Sequence, residues 1–162
     1  MTTTATDVQT VQVYQLFIKA GPETVWDGIT RPEYIDRYYH GCRLDAALEA
    51  GGRWLGRSPD LAKVWIDSEI LEFDPPRRLS HGWRALYDDE LALEGESRVT
   101  WEIEPRDDGT SLLTVTHDRL ENAPKTAAGV SGVGWMHILS GLKTLLETGT
   151  PLFDYSTREE AE

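Results

Sequence analysis

The sequence predicts a single α+β domain in which a run of antiparallel strands is followed by one long C-terminal helix. Strand-like segments follow one another between residues 43 and 117, with turn signals between them. Residues 98–104 alternate apolar and polar side chains, and the segment from about Gly132 to Gly149 has an apolar arc of helical period. Strands followed by a closing helix are typical of α+β proteins rather than of alternating α/β folds.

The first elements are a strand and two short helices. Residues 11–18 are mostly β-branched, aromatic or aliphatic, which is a strand composition. Pro22 suits the first turn of a helix and Glu23 lies near the positive end of its dipole, so a short helix is expected over about 22–29. A second short helix is expected over about 30–37, where another proline follows.

The remaining strands are separated by turns. They are expected at about 43–48, 53–57, 63–73, 78–85, 98–104 and 110–117. In the fifth of these, Val99, Trp101 and Ile103 alternate with polar residues, so one face is buried and the other is wet. A short Asp-Asp-Gly turn makes it an antiparallel hairpin with the last strand. Residues 88–96 are expected to form an acidic, solvated loop, and residues 118–128 a polar linker.

The final helix has the clearest pattern. At about 100° per residue, an arc of about 120° holds its large apolar side chains. These are Trp135, Ile138, Leu139, Leu142, Leu145 and Leu146, and opposite them lie His137, Ser140, Thr144, Glu147 and Thr148. Gly149 followed by Pro151 is a C-terminal signal. We therefore expect one amphipathic helix laid on the sheet.

Composition and charge limit the partners that the chain can have. The formal charge is −12 and no basic run is present, so neither nucleic acid nor an anionic membrane is an expected partner. No secretory signal is recognisable in residues 1–10, and no apolar stretch is long enough to span a bilayer. A single cysteine, Cys42, excludes an internal disulfide and a thiolate zinc cluster. We expect a soluble, unprocessed, cytoplasmic protein.

No motif indicates a catalytic mechanism or a cofactor. A Gly-rich phosphate loop, a nucleophile elbow and a Ser-His-Asp arrangement are all missing from the sequence. His40 and Cys42 are close together, but the sequence implies no third ligand, so neither a metal nor any other cofactor is expected. His81 is the best functional histidine, because alternation points it the same way as Trp83. Among the carboxylates, Glu69 is the one to examine for burial, with a solvated face as the simpler interpretation.

Motifs spread over residues 11–150 resemble a known family. They read AGPETVWD at 20–27, GGRW at 51–54, LEFDPPRRL at 71–79, LLTVTH at 112–117, GW at 134–135 and LLETG at 145–149. In their order and spacing they resemble the activator of Hsp90 ATPase homologue 1-like family, within the START-like (helix-grip, Bet v 1-like) superfamily. The resemblance implies a curved antiparallel sheet around the C-terminal helix, with a cavity that opens near the two short helices. It leaves 1–10 as a flexible N-terminus and 151–162 as a tail.

The resemblance also implies a carrier or sensor for a small, largely apolar molecule, and some bacterial relatives are associated with small metal- or stress-responsive repressors. The candidate ligand-binding residues are Trp26, Tyr39, Trp54, His81, Trp83, Trp101, Trp135, Leu139 and Leu142. Each tryptophan is also explained by core filling. Trp101 and Trp135 are expected to meet across the space that a ligand occupies. For His117, which ends a strand where relatives often carry histidine, a structural hydrogen bond is expected.

Two alternatives stay open. One is a cyclase- or hydrolase-like enzyme that uses His81 or Tyr39 as acid–base, and the other is a protein-binding module, co-chaperone-like or dimerising. An Hsp90-type chaperone is not an expected partner, because the eukaryotic co-chaperone resembles this chain only in its C-terminal domain; a homodimer remains open. Convergent polar groups in the cavity would favour the enzyme, a sealed core the protein-binding module, and an open apolar pocket the carrier.

Overall fold

The computed structural model describes residues 10–155, so most of the expected flexible N-terminus and the end of the expected tail lie outside the described residues. The strands are β1 (Gln12–Ile18), β2 (Arg43–Ala46), β3 (Arg53–Arg57), β4 (Val64–Asp74), β5 (Arg78–Trp83), β6 (Ser97–Pro105) and β7 (Ser111–Asp118). The helices are α1 (Pro22–Thr30), α2 (Pro32–Tyr38), α3 (Asp89–Ala92), α4 (Pro124–Val130) and α5 (Val133–Thr148). A 3-10 turn, Leu120–Asn122, precedes α4.

The strands form one seven-stranded sheet in the order β1-β7-β6-β5-β4-β3-β2, and every neighbouring pair is antiparallel. The predicted α+β class is therefore confirmed. The buried face expected in β6 is confirmed, because Val99, Trp101 and Ile103 are all buried. On the other face Arg98 and Glu102 are half-buried, but Thr100 is buried as well. Register shifts in the β3–β4 and β4–β5 pairs mark bulges, which bend strands and increase their twist. The sheet curves so that its buried face meets the helices.

Helix α5 lies against the sheet with the predicted arc inward. Trp135, Ile138, Leu139, Leu142 and Leu145 are buried, and the ring of Trp135 meets the ring of Trp101 on β6 edge to face. The helix ends as predicted, at a left-handed glycine, Gly149, whose N–H donates to the carbonyl oxygen of Leu145. No helix among the described residues is long and apolar enough to cross a membrane.

Two glycines allow α1 and α2 to approach α5 closely. A Cβ atom at Gly28 of α1 would lie 3.0 Å from the Cδ1 atom of Leu142, and one at Gly141 of α5 would lie 3.1 Å from the Cβ atom of Tyr38. Both distances are tighter than ordinary van der Waals contact. The crossing of the two short helices over α5 therefore depends on residues without side chains.

Two segments expected to be irregular contain helices. Residues 88–96 include α3, which Asp88 caps by accepting hydrogen bonds from the N–H groups of Glu90 and Leu91. The segment 118–128 includes most of α4, whose first-turn N–H groups donate to the carboxylate of Glu94 at 2.8 Å. The acidic loop is therefore partly structural, since one of its acids caps a helix that lies far away in sequence.

Residues 151–155, which the sequence assigns to a tail, contact the domain. The ring of Phe153 stacks on His137 of α5 with 3.9 Å between ring centroids. Tyr155 is buried, and its hydroxyl donates to the carbonyl oxygen of Tyr38 at 3.3 Å. On its other face His137 stacks on His40, which follows α2, so this segment is joined through a row of rings to the end of α2.

Candidate ligand-binding cavity

A cavity of about 530 Å³ opens between the sheet and the helices. It is bounded by the chain after α2, the β3–β4 loop, strands β4 and β5, helix α4 and the first half of α5. Apolar side chains in its wall include Ile66, Val130 and Ile138. Its volume lies within the range of pockets that bury a drug-sized molecule.

Five tyrosine and tryptophan side chains line the cavity: Tyr39, Trp65, Trp83, Tyr87 and Trp135. The ring of Tyr87 stands nearly perpendicular to Trp65 and to Trp83, with 6.5 Å between centroids in both pairs. Trp83 in turn donates a long hydrogen bond, 3.4 Å, from its indole Nε1 to the hydroxyl of Tyr39. These contacts join four of the five rings into one aromatic surface.

Ser58, Asp60 and Lys63 bring polar groups of the β3–β4 loop to the cavity. The hydroxyl of Ser58 donates to Asp60 Oδ1 at 2.7 Å, and the N–H of Ala62 donates to the same oxygen at 3.0 Å. These hydrogen bonds, that of Ser58 first, hold the pKa of the Asp60 carboxyl below its ordinary value. Asp60 therefore stays a carboxylate at neutral pH, and Lys63 from the same loop also lines the cavity.

A buried histidine fixes two of the wall tryptophans. The indole Nε1 of Trp135 donates to His117 Nδ1 at 3.1 Å, so the ring proton sits on Nε2 and points to Ser97 Oγ at 2.8 Å. The hydroxyl of Ser97 then donates to the backbone carbonyl of Trp83 at 2.8 Å. Burial, and secondarily the nearby His81, lowers the pKa of His117 to about 3. The structural hydrogen bond predicted for His117 is confirmed.

His81 is a second neutral, buried histidine. Its Nδ1 donates to the carbonyl oxygen of Gly82 at 2.8 Å, and its Nε2 accepts from the indole of Trp101 at 3.1 Å. The ring of Trp54 stacks on it with 4.4 Å between centroids. Burial lowers the pKa of His81 to about 4. Both ring nitrogens are engaged within the core, and His81 does not line the cavity.

Comparison with known proteins identifies the family. The model of the family described as "Activator of Hsp90 ATPase homolog 1-like protein" matches residues 19–147. The chain belongs to this family. No curated protein matches the chain.

Solved structures of other proteins have the same fold as this member of the Hsp90-ATPase-activator-like family. Protein MLL2253 from Mesorhizobium loti is 26% identical with a TM-score of 0.69, and the match covers 84% of this chain and 96% of that one. CalU16 from Micromonospora echinospora is 22% identical, with a TM-score of 0.67 and coverage of 86% and 77%. A protein from Colwellia psychrerythraea described as an Aha1 dimer is 16% identical, with a TM-score of 0.68 and coverage of 87% and 98%. The helix-grip fold is confirmed.

In this family member the predicted ligand-binding residues divide into three groups. Tyr39, Trp83 and Trp135 line the cavity. Trp54 and Trp101 line a void of about 20 Å³ further inside, which Tyr39 also borders. The others are buried in the core away from both spaces; they are Trp26, His81, Leu139 and Leu142. Their binding roles stay predictions.

Of two expectations about particular side chains, one meets a different geometry and one agrees with the structure. The rings of Trp101 and Trp135 lie 5.7 Å apart at 74°, in direct contact rather than across a space for a ligand. Trp135 thereby faces the cavity while Trp101 lies behind it, beside the inner void. Glu69 is exposed on β4, in agreement with the solvated face.

Residues outside the predicted set also line the cavity, and Trp65 is the largest of them. On β4, Val64 pairs with Arg57 and Ile66 pairs with Gly56, so Trp65 is the extra residue of a bulge. A bulge redirects side chains, which is why both Trp65 and its neighbour Ile66 line the cavity. Tyr87 follows β5 in an irregular segment, where periodicity gives no direction. No signal in the sequence identifies either one.

Proposed function

We propose that this protein is a carrier or sensor that binds a small, largely apolar molecule in the cavity between the sheet and α5. The observation that carries the proposal is an open space of about 530 Å³ with an aromatic wall. Aromatic rings bury large apolar areas, and their hydrogen-bonded anchoring reduces the ordering cost of binding. We expect affinity on the order of 1 μM, or about −8 kcal/mol.

The two residues expected to act as acid–base in the enzyme alternative, His81 and Tyr39, fit a carrier better. An acid–base residue must reach the proton that it transfers, and His81 is separated from the cavity by its place in the core. Burial raises the pKa of Tyr39 well above its ordinary value, so its hydroxyl is a hydrogen-bond donor rather than a base at neutral pH. One carboxylate oxygen of Asp60 already accepts hydrogen bonds from Ser58 and Ala62 of its own loop, which makes this group a poor acid–base candidate.

The proposal also covers the partners, the location and the oligomeric state of the protein. The charge of −12 disfavours nucleic acid and anionic membranes as partners. A cytoplasmic location is consistent with the single cysteine, because Cys42 is a buried, free thiol and the cytoplasm is reducing. A homodimer stays open, since the Colwellia relative is described as a dimer, and sedimentation equilibrium of this chain decides it.

Titration with Nile red, a neutral apolar dye, tests the proposal without electrostatic repulsion from the acidic protein. We expect an emission increase that saturates with a dissociation constant on the order of 1 μM. Val130→Trp, which adds bulk to a half-buried wall residue of α4, should weaken dye binding about tenfold.

Ala128→Trp is the matched control, because Ala128 is exposed on the same helix and does not line the cavity. It should leave the affinity unchanged. Both variants must retain the wild-type circular dichroism spectrum and melting temperature within a few degrees. If a panel of neutral apolar dyes fails to bind the folded wild type, the proposed function is wrong.

A further inference from the structure

The hydroxyl of Tyr39 is a polar group of the cavity whose hydrogen-bonding capacity is only half used. Tyr39 is the C-cap residue of α2 and lines both the cavity and the inner void. Its oxygen accepts from Trp83 Nε1, which occupies one lone pair. Among the residues that the structure describes, none accepts the hydroxyl proton in return. A bound molecule can therefore take it.

The proton stays on this oxygen under ordinary conditions. Burial raises the pKa of Tyr39 well above that of a solvated tyrosine, so the group is a neutral donor. Tyr39 is half-buried, and a molecule that fills the cavity displaces water from its hydroxyl, so the lost hydrogen bond must be replaced or it costs binding free energy. A cavity molecule with an acceptor atom at this place would complete the pairing.

The surfaces beside Tyr39 favour a flat molecule. Trp83 lies next to it, and Tyr87 stands edge to face with both Trp83 and Trp65. Aromatic rings pack best against another π system in offset-stacked or edge-to-face geometry. Planar ring systems can meet both geometries on this wall.

The charges at the cavity disfavour an anion as the acceptor. Asp60 and Lys63 carry opposite charges in the β3–β4 loop, so that loop has no local excess of positive charge. The whole chain carries −12, which opposes the approach of a carboxylate or phosphate. A neutral oxygen, such as a carbonyl, fits these charges better than an ionised group.

We propose that the cavity takes a planar, uncharged aromatic molecule that carries a carbonyl-type oxygen, and that this oxygen accepts a hydrogen bond from the hydroxyl of Tyr39. The inference rests on the proposed function and adds the chemical class of the ligand. Tyr39 acts here as a specificity-determining residue.

A matched pair of probes tests the inference. 2-Acetylnaphthalene carries the carbonyl oxygen, and 2-isopropenylnaphthalene replaces that oxygen by a methylene group of similar size. Equilibrium dialysis measures the dissociation constant of each probe with the wild type, with Tyr39→Phe and with Tyr34→Phe. Tyr34 is half-buried on the same helix but lines neither space, so its variant removes a hydroxyl outside the site.

We expect Tyr39→Phe to weaken binding of the ketone about fivefold, the usual effect of one neutral hydrogen bond, and to change binding of the hydrocarbon less than about twofold. Tyr34→Phe should change neither. Equal weakening of both probes by Tyr39→Phe, or no weakening of the ketone, would overturn the ligand class and leave the carrier function standing. Failure of both probes to bind a wild type that binds Nile red would overturn the ligand class and leave the carrier function standing.

A spectroscopic measurement on the wild type keeps the inference testable if Tyr39→Phe does not fold. The infrared carbonyl band of bound 2-acetylnaphthalene should lie at lower wavenumber than in hexane, close to its position in an alcohol. A band at the hexane position would show that no donor reaches the oxygen, and the inference would fail.

Discussion

Mild acid should destabilise this fold through its two buried histidines. Burial lowers the pKa of His81 to about 4 and that of His117 to about 3, against an ordinary value of 6.5. Between the ordinary and the lowered values, the unfolded chain binds more protons than the folded chain. The free energy of unfolding is therefore unaffected by these groups above about pH 6.5 and decreases as the pH falls below it.

The size of the effect follows from the two pKa shifts. A pH of about 5 lies about 1.5 units below the pKa of an unfolded histidine, so the unfolded imidazoles are protonated while the folded ones remain neutral. Each unit between the pH and the unfolded pKa lowers the free energy of unfolding by about 1.4 kcal/mol per histidine. Each histidine then lowers the free energy of unfolding by about 2 kcal/mol, and both together by about 4 kcal/mol. Carboxylates contribute little here, because their ordinary pKa values lie near about 4.

Urea unfolding followed by tryptophan emission, at about pH 7.5 and about pH 5, measures this loss. His117→Gln is the informative variant, because an amide can accept from Trp135 and donate to Ser97 without titrating. The difference in unfolding free energy between the two pH values should shrink by about 2 kcal/mol in the variant. An unchanged difference would refute the assignment of His117 as a buried neutral ring.

Three further predictions concern stability and are measured by thermal or urea unfolding. Leu142→Asp should cost more than about 3 kcal/mol, because the residue is fully buried, while Ser140→Asp on the exposed face of the same helix should cost less than about 0.5 kcal/mol; equal losses would mean that the helix face is wrong. Glu94→Ala should cost about 1 kcal/mol by removing the cap of α4, and Nile red binding should weaken with it, since α4 lines the cavity; an unchanged melting temperature would contradict this. Gly28→Ala should destabilise the protein, because a Cβ atom there is crowded at the crossing of α1 and α5. Gly129→Ala has open space at its Cβ position and should stabilise the protein by about 0.5 kcal/mol. The reverse order of stabilities would contradict the close contact of Gly28 with α5.

The elements of the fold were predictable where one side of a segment is buried and the other is not. Val99, Trp101 and Ile103 identify the inner face of β6, and the arc of α5 together with Gly149 gives the orientation and the end of the helix. Helix α4 was not predictable in the same way. The group that caps it, Glu94, is 31 residues from Lys125, so the stabilising contact exists only in the folded chain.

The cavity was less predictable than the fold. Periodicity in the sequence predicts which face of a strand or helix a side chain lies on, but not whether that side chain borders a cavity or is covered by the core. His81 and Trp83 are two residues apart on the same face of β5, yet Trp83 lines the cavity while His81 lies beneath Trp54. Which of the two meets open space depends on how the neighbouring strands and helices cover them. Trp65 adds a second difficulty, since the bulge at this residue breaks the alternation on which any such prediction depends.

The hydrogen-bonded chain from Trp135 through His117 and Ser97 to the backbone of Trp83 also bears on how relatives of this protein could diversify. That chain ties the inner wall of the cavity to the centre of the sheet, so a substitution there disturbs the core and carries a cost in stability. The β3–β4 loop around Asp60 has no such tie, because its hydrogen bonds are local. Selection for a new ligand would therefore act first on that loop, with the wall inherited unchanged.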